Sequence, residues 1–157
     1  MQILPGDIIA VHGIHWVSHE IEDVTHSRYS HIATAISDRF LVEAIWPRVT
    51  APAPTAKYIG LADIYRISDA TDKQREEMAL YVQRQIGKRY SLRLILYEWL
   101  RYKFSIMPVY KGPDLICSLL EADTARIGAG LPFCQGIPYP APVDVVHDPS
   151  VELVGAL

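Results

Sequence analysis

One cysteine lies in a local setting that could support thiol chemistry. Cys117 follows the turn residues Gly112-Pro113-Asp114 and begins an apolar run with helical spacing, so Asp114 is a candidate N-cap. A helix start favours the thiolate, because its unpaired N–H groups and the helix dipole lower the pKa of a thiol. The alternative is a buried, unreactive side chain, because free cysteine is among the most buried residue types.

A cysteine nucleophile also needs a base within hydrogen-bond reach and a third group that orients the base. Of the six histidines, His31 is the best placed, because it opens a predicted strand of small and apolar residues. Glu43 is unusual in the middle of the next predicted strand, since ionised side chains are rarely buried unless they are paired. Each has an ordinary alternative: a histidine that contacts water at a strand end, and a glutamate on the solvated face.

The register of the hairpin between these two strands decides between the alternatives. A two-residue loop puts His31 and Glu43 on opposite faces of the sheet. A three-residue loop, which pairs Ile36 with Phe40, puts the two side chains on the same face as diagonal neighbours. A shared site therefore requires the three-residue loop.

The elements that would position these residues divide the chain into a strand-rich first half and a helix-rich second half. The predicted strands are 6–11, 30–37, 40–46 and 62–67, with at most one short strand near 143–146 in the tail. The predicted helices are 72–86, 91–104 and the segment from Cys117, and 14–24 has near-helical spacing. This order predicts an α+β fold with a mostly antiparallel sheet packed against helices.

The segment 88–104 is both basic and aromatic, and two interpretations of it are open. Leu92, Ile95, Leu96 and Trp99 have the spacing of an amphipathic helix that covers the sheet. Binding of an anionic surface or lipid is the alternative. The sequence favours the covering helix.

Length and composition predict one domain over residues 1–157, large enough for a proper core. A net charge of −3 gives no reason to expect nucleic acid as a partner. No apolar window is long enough for a transmembrane helix, and no secretory signal is visible, so the default location is the cytoplasm. Export by cell lysis, in a phage particle or by a dedicated secretion machine would leave no trace in the sequence.

The remaining cysteine and histidines suggest no second site. Cys134 has no helix start or obvious base nearby, although it could pair with Cys117 in one disulfide. His15 and His19 would share a helix face and could hold zinc with His12, but no HExxH pattern exists. The sequence therefore predicts no metal and no cofactor.

Five short motifs occur in an order that resembles the NlpC/P60 enzymes. They are Gly6-Asp7-Ile8-Ile9, Ser30-His31-Ile32-Ala33, Leu41-Val42-Glu43-Ala44, Ile86-Gly87-Lys88-Arg89-Tyr90 and Ile116-Cys117-Ser118-Leu119-Leu120. The histidine precedes the cysteine, as in the circularly permuted branch of YiiX-like and lecithin:retinol-acyltransferase-like thiol enzymes. Ser91, where relatives often have Asp, and Leu119-Leu120-Glu121 depart from the usual pattern.

The resemblance implies a papain-like thiol hydrolase. By that resemblance, Cys117 is the nucleophile, His31 is the general base and then the acid, Glu43 orients His31, and Tyr90 lies near the cleft as a substrate-binding or oxyanion residue. The implied substrate is peptide-like, with an amide bond of a bacterial cell-wall peptide as the expected target. Two alternatives stay open: a lipid esterase or acyltransferase with an acyl thioester on Cys117, and an inactive relative that only binds peptide or muropeptide.

Overall fold

The computed structural model describes residues 2–13, 27–106 and 112–157, and its fold is α+β, as the sequence predicts. The strands are β1 (Ile8–His12), β2 (Tyr29–Ala35), β3 (Phe40–Ile45), β4 (Arg48–Val49), β5 (Ala53–Pro54), β6 (Ala62–Ile67) and β7 (Val151–Ala156). The α-helices are α1 (Asp72–Arg84), α2 (Leu92–Phe104), α3 (Cys117–Asp123) and α4 (Pro142–Val146). A 3₁₀ helix (Thr55–Tyr58) and a π-helix (Thr124–Gly128) complete the described elements. The predicted helical stretch 14–24 lies outside the described residues.

The described strands form one antiparallel sheet in the order β4-β3-β2-β1-β6-β7, with β5 paired to β3. In the β2–β3 hairpin Ala33 lies opposite Glu43, and the Ile36 N–H donates to the Phe40 carbonyl over 2.9 Å. This is the register of the three-residue loop. It places His31 and Glu43 on the same face of the sheet, as a shared site requires.

Both faces of the central strands are covered, which explains why the first strand is an unbroken apolar run. Ile8 and Ala10 belong to the larger core, which also contains residues of α1, α3 and α4. Ile9 and Val11 belong to a smaller core on the other face. Alternate side chains therefore enter different cores, which favours an apolar residue at every position from Ile8 to Val11.

The helix that carries Cys117 begins later than its turn signal suggests. Cys117 is the first residue of α3, and the N-cap is Ile116 in an extended conformation, so the prediction of Asp114 as N-cap is wrong. The reason is that Leu115 forms a parallel bridge with Tyr90, which keeps the chain extended up to the cysteine. Cys117 still lies in the first turn, as predicted.

The α2 helix is oriented differently from the prediction. Leu94 and Glu98 are its buried residues, whereas Leu92 and Leu96 are exposed. The prediction that Leu92 and Leu96 belong to an inner face is therefore wrong, whereas Ile95 and Trp99 are half-buried and Ile95 packs against a small core. The orientation is set by Leu94, which packs in a small core with Ile116 and Tyr139. Within the described ranges, no helix has the length and apolar character needed to cross a bilayer.

The tail also departs from the prediction. Residues 142–146, where a short strand is predicted, form α4 with Pro142 at its first turn, a position where the missing N–H of proline costs nothing. The strand of the tail is instead β7, which pairs with β6 at the edge of the sheet.

Candidate functional site

The histidine and the glutamate singled out in the sequence are hydrogen-bonded to each other. His31 Nε2 lies 2.8 Å from Glu43 Oε2, and only 1% of the glutamate side chain is exposed. An ionised carboxylate can only accept, so Nε2 carries the proton. The other ring nitrogen, Nδ1, is then the one left for a second partner.

Glu43 has two further partners that sequence reasoning missed. Lys57 Nζ lies 2.5 Å from Oε1, and the Tyr58 hydroxyl donates to Oε2 over 2.7 Å. Burial opposes ionisation of Glu43, but the hydrogen bonds of His31, Lys57 and Tyr58 outweigh it and lower its pKa to about 2. Glu43 is thus a charged carboxylate with three hydrogen-bond donors around it.

Cys117 faces His31 from the start of α3. Its side chain is buried, with 7% of the residue exposed. Cys117 and Cys134 are both free cysteines, so no disulfide joins them. The backbone N–H groups of Ile32 and Ser118 help to lower the pKa of the Cys117 thiol. Donors of this kind stabilise the thiolate more than the thiol.

The Cys117 thiol and the His31 imidazole shift each other's pKa in opposite directions. Burial lowers the pKa of His31, but the charge and hydrogen bonding of Cys117, followed by Glu43, outweigh it and raise the value to about 9. Burial raises the pKa of Cys117, but the charge of His31 and its hydrogen bonding outweigh it and lower the value. Both shifts favour a thiolate–imidazolium pair at neutral pH.

Tyr90 lies beside this pair. Its pKa is raised by burial first and then by the charges of Cys117 and Glu98, so its hydroxyl keeps its proton and remains a hydrogen-bond donor. Glu98 is a buried residue on α2 that the sequence did not mark as special, and its Oε1 has no hydrogen-bond partner among the described residues. Burial, and then the charge of Cys117, raises its pKa well above the ordinary value, which favours the uncharged carboxyl.

The other residues considered in the sequence lie apart from this cluster. Burial and then the charge of Asp148 raise the pKa of Cys134 to about 12, which disfavours its thiolate. His12 pairs with Asp63 at 3.0 Å, while His15 and His19 lie outside the described residues. Over the described ranges, no three His, Cys, Asp or Glu side chains are grouped so that they could hold a metal ion.

Lys57, Tyr58 and Glu98 could not be identified from the sequence. Lys57 and Tyr58 belong to a 3₁₀ turn behind β3, and nothing in a Lys-Tyr pair indicates that it faces a buried carboxylate. The sequence gives one weak indication that Glu98 is unusual, because it is the only acidic residue in the basic segment 88–106.

The fold is similar to that of a solved protein. The crystal structure of metalloprotein yiiX from Escherichia coli O157:H7 matches with a TM-score of 0.76 and 18% sequence identity, over 100% of this chain and 99% of that chain. At this level of identity the match shows a shared fold. Comparison with protein families and with curated proteins gave no match.

Proposed function

We propose that this chain, as one domain over residues 1–157, is a papain-like cysteine hydrolase of the permuted NlpC/P60 type. Cys117 is the nucleophile, His31 the base and then the acid, and Glu43 orients His31. The observation that carries the proposal is the buried 2.8 Å hydrogen bond between His31 and Glu43, formed while His31 also interacts with Cys117. The yiiX structure shows that this fold, with its antiparallel sheet and helices, also occurs in a solved protein over the same length.

The arrangement supports an acyl-transfer mechanism on an amide bond. The Cys117 thiolate attacks the carbonyl carbon, and the backbone N–H of Cys117 and the Tyr90 hydroxyl stabilise the developing oxyanion. The C–N bond then breaks, and the leaving amine takes the proton of the His31 imidazolium. In the second half, neutral His31 accepts a proton from water, which hydrolyses the thioester and restores the thiolate–imidazolium pair.

The substrate class we propose is a peptide-like amide, with a cell-wall peptide as the first candidate. The thiolate–imidazolium pair supports an amide substrate, because a protonated imidazole is available for an amine leaving group. The yiiX protein is described as a metalloprotein. The proposed mechanism assigns no step to a metal, because the described part of this chain brings no three His, Cys, Asp or Glu side chains together.

The test compares the two cysteines of the same molecule. Iodoacetamide at pH 7 should alkylate Cys117 at least about tenfold faster than Cys134, because only Cys117 has a stabilised thiolate. Cys117→Ala should abolish the fast phase, and His31→Ala should slow it. Turnover is then measured on peptidoglycan fragments and on phospholipids side by side, with Cys117→Ala as the blank.

Each outcome supports one of the functional hypotheses and argues against the others. Cleavage of the peptide fragments alone supports the proposal, whereas cleavage of the phospholipids alone identifies a lipid esterase and refutes the amide assignment. A reactive Cys117 with no turnover on either substrate favours the inactive binding relative. Equal alkylation of Cys117 and Cys134, unchanged in His31→Ala, refutes the hydrolase.

A further inference from the structure

The α2 helix turns an apolar row toward solvent. Leu92 and Leu96 are 60% and 51% exposed, and the half-buried Trp99 follows at the next turn of the same face. These three residues are called the α2 stripe below. Phe104, the last residue of α2, and Ile106, just after the helix, are also apolar and are 54% and 52% exposed. Contiguous apolar surface of this kind marks an interaction site more often than single exposed leucines do.

The exposed charges of the segment that carries the α2 stripe are of one sign. Residues 88–106 contain five cations and a single acidic residue, Glu98, which is buried. Four of the cations are exposed, namely Lys88, Arg89, Arg93 and Lys103, and the fifth, Arg101, pairs with Asp144 of α4. The carboxylate of Asp123 lies near Lys88, so Arg93 and Lys103 are the cations closest to the stripe that face no such neighbour among the described residues. The exposed charges of α2 itself are therefore positive, on a chain whose net charge is −3.

We propose that α2 docks this protein on an anionic lipid bilayer. The α2 stripe would enter the interface between headgroups and acyl chains, and the exposed cations would contact the headgroups. A polyanion such as nucleic acid would match the cations but leave the leucines in water. An uncharged apolar partner would cover the leucines but leave the cations unmatched, so an anionic bilayer is the partner that fits both features.

The local geometry suits a helix that lies on the membrane. Lys103 Nζ lies 4.9 Å from the centre of the Trp99 ring, so an aromatic ring and a cation occur together, as is common at membrane interfaces. A helix of 13 residues is only about 20 Å long, too short to span the hydrocarbon core. The inner side of α2 stays with the protein through Leu94 and Glu98.

Docking through α2 would place the candidate site at the lipid surface. The helix begins two residues after Tyr90, which bridges to Leu115 just before Cys117. A substrate held in or on the bilayer would then be presented to the site. The docking proposal does not depend on the hydrolase proposal, because membrane binding is measured without turnover.

The experiment measures co-sedimentation of the full chain with vesicles. One set contains phosphatidylcholine alone, and the other contains three parts phosphatidylcholine to one part phosphatidylglycerol. The double variant Leu92→Gln/Leu96→Gln removes apolar surface, and Arg93→Gln/Lys103→Gln removes two charges. The matched controls are Leu80→Gln and Lys73→Gln on α1, because both side chains are well exposed on another helix. Circular dichroism checks that each variant is folded.

Wild-type protein should bind the anionic vesicles at least about tenfold more tightly than the neutral ones, and less so at high salt. The charge variant should lose about fivefold per cation, and the leucine variant about tenfold, while both controls stay within about twofold of wild type. Equal binding to both vesicle types, or a leucine variant that binds like wild type, overturns the proposal. Self-association in the absence of lipid that is lost in Leu92→Gln/Leu96→Gln also overturns it, because the stripe would then face a second copy.

Discussion

Replacing Glu43 with glutamine tests the electrostatics of the candidate site most directly. The three hydrogen-bond donors around Glu43 lower its pKa from an ordinary value of 4.5 to about 2. The difference between these two pKa values corresponds to about 3 kcal/mol of folding stability. Because the folded pKa lies below the unfolded one, this stability is present above about pH 4.5 and is lost as the pH falls toward 2. Glu43→Gln keeps the shape but removes the charge.

The assay is urea unfolding of wild type and Glu43→Gln at two pH values. The variant should be less stable by about 3 kcal/mol at pH 7, and by only about 1.4 kcal/mol at pH 3, where wild-type Glu43 has lost most of its advantage. The matched control is Glu76→Gln, an exposed glutamate of α1, which should change stability by less than about 0.5 kcal/mol. A Glu43→Gln variant as stable as wild type at pH 7 would refute the reasoning. So would a loss that is the same at both pH values.

Three further predictions concern titration and packing. Burial raises the pKa of Glu121 to about 8, so folding becomes less favourable as the pH rises from about 4.5 to 8. The variant Glu121→Gln can still accept the hydrogen bond of Thr34. It should raise the free energy of unfolding by up to about 3 kcal/mol at pH 7 and by little at pH 4. The kcat/KM of the proposed reaction should fall as the pH rises through about 9, where His31 loses its proton. A profile that is flat up to pH 10 would show that His31 is not the general acid. Gly128→Ala would place a methyl group 2.7 Å from Tyr81 Cβ and should reduce stability by about 1–3 kcal/mol. The loss should shrink in a Tyr81→Gly background, which removes that Cβ, as thermal unfolding of the four proteins would show.

The local parts of the fold could be predicted because they depend on short-range rules. Alternation predicts the strand 62–67, and a cap at Thr71 or Asp72 predicts the start of the next helix. In the structure the N-cap is Thr71, which forms a capping box with Gln74. The β2–β3 register could be narrowed to two alternatives from loop length alone. Both faces of these strands are buried, so the burial pattern does not choose between the two registers, and the structure shows the three-residue loop.

The errors occur where a distant segment decides the local structure. Leu115 extends toward Cys117 because Tyr90, 25 positions earlier, pairs with it. The spacing of Leu92, Leu96 and Trp99 is that of a buried row, yet the helix is rotated so that Leu94 packs against Ile116 and Tyr139. Neither outcome can be read from a window of a dozen residues. For the same reason the two extra partners of Glu43 could not be predicted.

The placement of Cys117 opposite His31 depends on the packing between β2 and α3. Thr34 Oγ1 donates to Glu121 Oε2 over 2.5 Å in the buried space between the two elements. Thr34 is three residues from His31 on β2, and Glu121 is one helical turn from Cys117 on α3, so this bond links the element with the proposed base to the element with the proposed nucleophile. A protonated Glu121 fits that space without a buried charge. The geometry of the pair thus comes from contacts between β2 and α3, which exist whichever element comes first in the chain. This is why a histidine that precedes the cysteine is compatible with the same chemistry.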